Sequence, residues 1–351
     1  MTSKLFYFLC LCGLLFAVSA TAKSGTQIEF EDSTSHYLEQ GRIEKTKGRK
    51  LESLKQFEKA YAYDSTHAEV INELATTYYD LRKYAKSKDM HAKMIKMGKA
   101  DLEHYKQAFQ LSFNLKQYDE ALHYAAALKK KSPEENISFM VGQIHQKKGN
   151  LGEAIKHFNQ SIKEDPKNAE APYLIARAYT DMMNYKTAIP YFKQAIELDG
   201  TKAHWVYELG LVYYAMNDDK NALTYLLLAG EKGVRKDNTY LENLAIAYLN
   251  TGKLNEGAAI LKEALERRPS DQNLLNMLAE AYYDKGKYKD AIEYWDRMLE
   301  YDKQNASALY MIGMCYIKDG DKQKGQRLCD KAIEINPALA SLKHKKEIPG
   351  M

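Results

Sequence analysis

The stretch AYYDKGKYKDAI, residues 281–292, decides the fold. Worn copies stand at 76–87 (TTYYDLRKYAKS), 177–189 (RAYTDMMNYKTAI), 211–223 (LVYYAMNDDKNAL) and 246–258 (IAYLNTGKLNEGA). Aligned on this phrase, the chain divides into units starting near Thr34, Ala68, Leu102, Glu135, Ala169, Ala203, Asn238, Gln272 and Ala306. Most starts are 34 residues apart, with one step of 33 and one of 35. A fixed period of this size is the signature of stacked supersecondary units, each unable to bury its apolar face alone.

Within a unit the apolar residues follow helical spacing. In 272–305, Leu275, Leu278, Ala279 and Tyr282 share one face, and after Gly286 the set Ala291, Trp295 and Met298 repeats the pattern. Each unit therefore predicts two helices joined by a tight turn. Gly48, Gly149, Gly252, Gly286 and Gly320 occupy one turn position, where a left-handed backbone favours glycine. Pro133, Pro166, Pro269 and Pro337 stop the second helix in register.

Three columns explain how the helices pack closely. The eighth position reads Gly41, Ala75, Gly142, Ala176, Gly210, Ala245, Ala279 and Gly313, with Phe109 the exception. The twentieth is Ser, Ala or Gly throughout, and the twenty-seventh is mostly Ala. A larger residue there over-packs the joint. Large residues at the fourth, seventh, eleventh and twenty-fourth positions fill the space around them, as Phe57, Phe158, Phe192 and Trp295 do.

Small at eight, Tyr at eleven, Gly at fifteen, Ala at twenty and Pro at thirty-two resembles the tetratricopeptide repeat (TPR) family. The resemblance spans 34–339. It implies an all-α solenoid of about nine helix-turn-helix repeats in a right-handed superhelix, with the first helix of each unit lining a concave groove for partners. The ends are less faithful. Gln40 and Glu44 stand where the first unit expects apolar residues, as a water-facing cap does, and Phe109 and Ser112 are out of pattern in the third. Residues 338–351 are expected to form a short capping helix and tail.

Residues 1–22 read as a cleaved secretory signal: Lys4, an apolar run from Leu5 to Val18, then small residues at Ala20 and Ala22. VSA at 18–20 is an alternative cleavage site, and an uncleaved anchor is the other reading. Cys10 and Cys12 lie inside the run, which argues against lipid modification. Residues 23–33 form a linker. The protein is thus expected to be exported, periplasmic or secreted, and its likeness to exported repeat proteins points to a bacterium. No later stretch reaches membrane-spanning length, so no membrane insertion is expected after cleavage. Cleavage removes one Lys, leaving 50 Lys+Arg against 47 Asp+Glu, or +3. That balance does not point to nucleic acid or an acidic membrane as partner.

No HExxH, CxxC, phosphate loop, GxSxG or dinucleotide fingerprint is present. The nine histidines, such as His91, His145 and His157, share no ligand spacing. No catalytic residue, metal site or cofactor is expected, and the protein is not expected to be an enzyme. Cys315 and Cys329 sit one on each helix of the last unit; they are small core residues or a disulfide pair, with the core role favoured because Cys329 fills the column of Phe and Trp.

If the family geometry holds, the second, fifth, ninth, twelfth and thirteenth positions face the groove. In the N-terminal units they are mostly polar, as with Arg42, Lys45, Glu69, Thr76 and Lys106. From the fifth unit onward Tyr173, Tyr207, Leu211, Tyr214, Ile246, Leu249, Tyr283, Tyr310 and Met314 appear, interleaved with Arg177 and Asp284. An apolar strip rimmed by polar groups marks a partner surface, and tyrosine supplies rigid contact area with a polar tip. The strip is equally open to burial by superhelix curvature, by the linker or by dimerisation. Co-chaperone members of the family grip a terminal carboxylate through an asparagine at the ninth position, which no unit here carries.

The expected function is a non-enzymatic scaffold holding a peptide segment or partner domain, in an envelope, secretion or surface-assembly complex. The alternative is a carbohydrate-binding accessory protein using the groove tyrosines.

Overall fold

The computed structural model describes residues 33–341. The expected signal segment, nearly all of the linker, and the capping helix and tail beyond Ser341 lie outside the described residues. All regular structure among the described residues is helical, and it follows the repeat. The pairs are α1 (33–46) with α2 (Lys50–Tyr63), α3 (Ala68–Asp80) with α4 (Tyr84–Lys96), α5 (Leu102–Asn114) with α6 (Tyr118–Lys131), and α7 (Ser138–Lys147) with α8 (Leu151–Glu164). Five more follow: α9 (Glu170–Asp181) with α10 (Tyr185–Leu198), α11 (Ala203–Ala215) with α12 (Asp219–Glu231), α13 (Asn238–Asn250) with α14 (Leu254–Arg267), α15 (Gln272–Asp284) with α16 (Tyr288–Tyr301), and α17 (Ala306–Lys318) with α18 (Lys322–Ile335). A 3-10 turn at Pro337–Leu339 follows α18.

The chain forms two compact units, one ending at Pro166 with four helix pairs and one starting at Lys167 with five.

Every intra-repeat turn is left-handed at the fifteenth position. Five are the expected glycines; the other four are Arg82, Lys116, Met183 and Asn217, with φ of 57–60°. The turn is set by hydrogen bonding more than by residue type. At Gly286 the next residue, Lys287, donates its N–H to Tyr282 O at 2.9 Å, while Gly286 N–H goes to Tyr283 O at 2.9 Å. Lys83 and Arg82 make the same pair of bonds to Tyr78 and Tyr79. These bonds satisfy carbonyls that a helix end otherwise leaves orphaned.

The small columns are contact points. A Cβ on Gly41 falls 2.3 Å from the Phe57 ring, and one on Gly142 falls 2.6 Å from Phe158. In the last pair a Cβ on Gly313 meets Cys329 Sγ at 2.7 Å. Phe109, the exception, is resolved by its partner: Ala125 stands at the twenty-fourth position, where other units carry Phe, Trp, Leu, His or Cys. Both are buried in one cluster. The large and small partners have exchanged helices, and the joint keeps its volume.

The fourth unit starts late. The period places its first helix near Glu135, but α7 begins at Ser138. Its N-terminus is held from outside: the Glu164 carboxylate of α8 accepts from Ser138 N–H at 3.2 Å and Ser138 Oγ at 2.7 Å. Cys315 and Cys329 are buried thiols. Burial pushes the Cys315 thiol up to about 12, and Cys329 Sγ donates to Tyr310 O at 3.6 Å.

Candidate partner-binding face

The paired tyrosines of the repeat do different work. Tyr282 is buried and stacks on Tyr294 of its partner helix, with centroids 5.8 Å apart and planes 2° apart. Tyr213 and Tyr225 form the same pair at 5.3 Å. The next residue along the helix points about 100° further round it. Tyr283 is half-buried, meeting Trp295 edge-on at 5.9 Å and Tyr288 at 5.6 Å, and burial raises its hydroxyl pKa.

The first helices of the second unit, α9, α11, α13, α15 and α17, carry all the expected groove residues. Arg177, Tyr214 and Asp284 are exposed. Tyr207, Leu211, Ile246, Leu249, Tyr283 and Met314 are half-buried. Tyr173 and Tyr310 depart from the expectation of an open strip, since both are buried, at 7% and 6% exposure. Tyr173 stacks on Trp205 of α11 at 4.6 Å, and its hydroxyl donates to Glu208 Oε1 at 3.0 Å. Burial, reinforced by Glu208, pushes that hydroxyl up to about 12. For Tyr173 the reason is geometric, since a large ring at the fifth position lies under the next first helix, whereas Tyr310 is buried in a cluster with Cys329 and Ala332 of α18, against which Leu339 packs. Tyr207 shares this position, and its hydroxyl accepts from Asn243 Nδ2 of α13 at 2.7 Å.

Among the described residues, two well-formed hollows on this face stand at equivalent places. One, of ≈ 240 Å³, lies between α9 and α11, floored by Phe192, Leu211 and Val212 and rimmed by Arg177, Asp181 and Glu208. The other, of ≈ 470 Å³, lies between α13 and α15, floored by Ile246, Leu249, Leu254, Met277 and Ala281 and rimmed by Glu280, Asp284 and Lys285. They use the same repeat positions. Thr180 in the first stands where Leu249 stands in the second, and Tyr185 corresponds to Leu254. At the junction between them, α11 with α13, and at the one beyond the second, α15 with α17, the twelfth position carries a large ring, Tyr214 and Tyr283 respectively.

Column reasoning missed the sixth position (Glu208, Met277) and the seventeenth (Tyr185, Leu254). A signal existed: the seventeenth position is apolar or aromatic in six of nine units, namely Tyr84, Tyr118, Leu151, Tyr185, Leu254 and Tyr288, yet it belongs to no core column.

The first unit differs on the corresponding positions. Arg42 pairs with Glu69 at 2.8 Å and Glu73 at 3.4 Å, Lys45 with Glu73 at 2.7 Å, and Lys106 with Glu135 at 2.8 Å. Charges on neighbouring repeats neutralise one another there. Among the described residues no group of three or more His, Cys, Asp or Glu is placed to hold a metal ion, and no helix is long and apolar enough to cross a membrane.

The family profile "Tetratricopeptide repeat" matches residues 173–235, 242–298 and 276–340. A second profile, "Anaphase-promoting complex, cyclosome, subunit 3", matches 114–195. No curated protein matches the chain significantly. Among solved structures, YrrB, described as a TPR protein with an unusual peptide-binding site, is 23% identical, with 54% of this chain and 97% of YrrB covered and a TM-score of 0.44. The type IV pilus biogenesis factor PilW is 19% identical, covering 59% and 97%, with a TM-score of 0.42. PilF of Pseudomonas aeruginosa is 18% identical, covering 62% and 100%, with a TM-score of 0.39.

Proposed function

Because this chain belongs to the tetratricopeptide repeat family, we propose that it is a non-enzymatic interaction scaffold that holds a peptide segment or partner domain on the first-helix face of its second unit. The observation that carries this is the pair of hollows in equivalent register, floored by apolar side chains and rimmed by charged ones. Leu211, Ile246, Leu249, Met277 and Ala281 on these floors are only half-buried, and apolar surface of this kind gains free energy when a partner covers it. The contrast with the first unit supports the choice of face, because salt bridges occupy the corresponding positions there.

The carbohydrate alternative is weaker. Sugar stacking needs open aromatic faces, and Tyr173 spends its face on Trp205 while Tyr310 is buried. The N-terminal pattern of residues 1–22 supports export and work in a bacterial envelope, secretion or surface-assembly complex.

The test is site-specific photocrosslinking in the native cell. A photoreactive residue at Leu249 or Tyr283 is expected to join a discrete protein partner, and one at Lys45 is not. The triple variant Tyr214→Ser, Leu249→Ser and Tyr283→Ser is expected to keep its helicity and lose that partner. Equal crosslinking at all three positions, or a partner retained by the triple variant, overturns the proposal.

A further inference from the structure

Building on that reading, we infer that the second unit binds an extended, cationic polypeptide segment through two anchor side chains, one per hollow, about six or seven residues apart. Two observations carry this. First, the hollows recur at a two-repeat interval. They form where the twelfth position holds Thr180 or Leu249, while the junction between them carries Tyr214 and the one beyond the second carries Tyr283. Second, each hollow has the same charge balance: Asp181 and Glu208 against Arg177, and Glu280 and Asp284 against Lys285, two carboxylates to one cation.

The local partners sharpen the charge argument. In the first hollow Arg177 Nε lies 3.8 Å from Glu208 Oε2, so the lone cation faces the inner carboxylate, and Asp181 stands exposed at the mouth. In the second, Glu280 accepts from a neutral donor, Asn276 Nδ2, at 2.9 Å, and both Glu280 and Asp284 are exposed. A ligand side chain that buries apolar atoms on the floor while a Lys or Arg beside it reaches the rim complements both features. Long basic side chains also cover apolar surface with their stems while the charged head stays wet.

The interval sets the spacing. First helices of successive repeats stand about one helix diameter, ~10 Å, apart. Equivalent points two repeats apart are then ~20 Å apart, which an extended chain at ~3.3 Å per residue crosses in about six or seven residues. A helical ligand at ~1.5 Å per residue needs about 13 residues for the same span, so the spacing also separates the two conformations.

The fold itself supplies the test variants. Thr180→Tyr and Leu249→Tyr place at each hollow the ring that the neighbouring junctions carry as Tyr214 and Tyr283, so each closes one hollow with a side chain this position accommodates elsewhere. Synthetic Ser/Gly-based peptides carrying two Leu-Lys pairs, with the leucines three, six, seven or thirteen residues apart, are titrated against the full chain by fluorescence anisotropy. A Leu-Glu version with leucines six apart serves as the charge control. The six- or seven-residue peptides are expected to bind at least tenfold tighter than the three- and thirteen-residue ones and than the Leu-Glu peptide. Each Tyr variant is expected to lose about tenfold in affinity and the dependence on spacing, with its thermal midpoint unchanged. D181N/D284N, which touches only exposed carboxylates, is expected to weaken binding about fivefold and flatten its salt dependence.

Affinity indifferent to spacing, preference for the Leu-Glu peptide, or binding unaffected in folded Thr180→Tyr and Leu249→Tyr overturns the inference. If no peptide binds while the Leu249 crosslink still holds its protein partner, the two-anchor cationic ligand is wrong and the scaffold reading stands. If the crosslink fails as well, both fall.

Discussion

Met183 holds a left-handed backbone at φ 57° while its side chain is 77% exposed. Neither property stabilises the fold, since glycine fits the turn better and the side chain buries little. A left-handed L-residue costs about 1–2 kcal/mol, and glycine recovers this less its larger unfolded-state entropy. Met183→Gly is therefore expected to stabilise the second unit by roughly 0.5–1 kcal/mol, measured as a rise in urea midpoint. Asn217→Gly is expected to gain less, because asparagine tolerates this region better. His91 makes the complementary case in the first unit. It fills the twenty-fourth position, where Phe57, Phe158 and Phe192 stand elsewhere, and is 8% exposed. Burial, and then the neighbouring His104 at 5.4 Å, lowers its pKa from 6.5 to about 4. Between those values the unfolded chain binds the proton and the folded chain does not. The stability His91 contributes is complete above about pH 6.5 and is lost as pH falls toward 4, by up to roughly 3 kcal/mol at ~1.4 kcal/mol per pKa unit. His91→Phe is expected to remove this part of the acid sensitivity, seen as a flatter plot of thermal midpoint against pH from 7 to 4.

At the scale of the helix pair, the third repeat tests what the small column means. If it exists only to keep volume at the joint, the order of large and small is free to reverse, and Phe109 with Ala125 is that reversal. Phe109→Ala alone is expected to cost about 3–5 kcal/mol by opening a cavity. Ala125→Phe alone is expected to over-pack, at about 1–3 kcal/mol. The double variant, which restores the order of the other eight repeats, is expected to recover most of both losses. Thermal midpoints of the four proteins in a double-mutant cycle give the coupling, and strict additivity would refute the exchange. This pairing was half legible in the sequence. Phe109 announced itself as an exception, but Ala125 looked unremarkable until the structure placed both in one cluster.

At the scale of the molecule, the period of 34 and its turn and proline punctuation were enough to anticipate helix pairs throughout the described residues, because each signal is local to one repeat. The candidate face was legible only in part. The shift from polar to apolar columns after the fourth repeat is written in the sequence, and all the expected residues fall on first helices of the second unit. Which of them remain open was not. Tyr173 and Leu249 look equally apolar in a column, yet Trp205 covers one and the other borders a hollow. Glu208, Tyr185 and Met277 belong to the site through neighbours one helix or one repeat away, and no single-repeat pattern carries that information. The sequence by itself determined the helix pairs, their turns and the close-contact columns, since hydrogen-bonded turns and steric volume depend on residues within one repeat. Only the tertiary structure decided which apolar side chains stay uncovered and where room is left, because exposure is set by what the next repeat places on top.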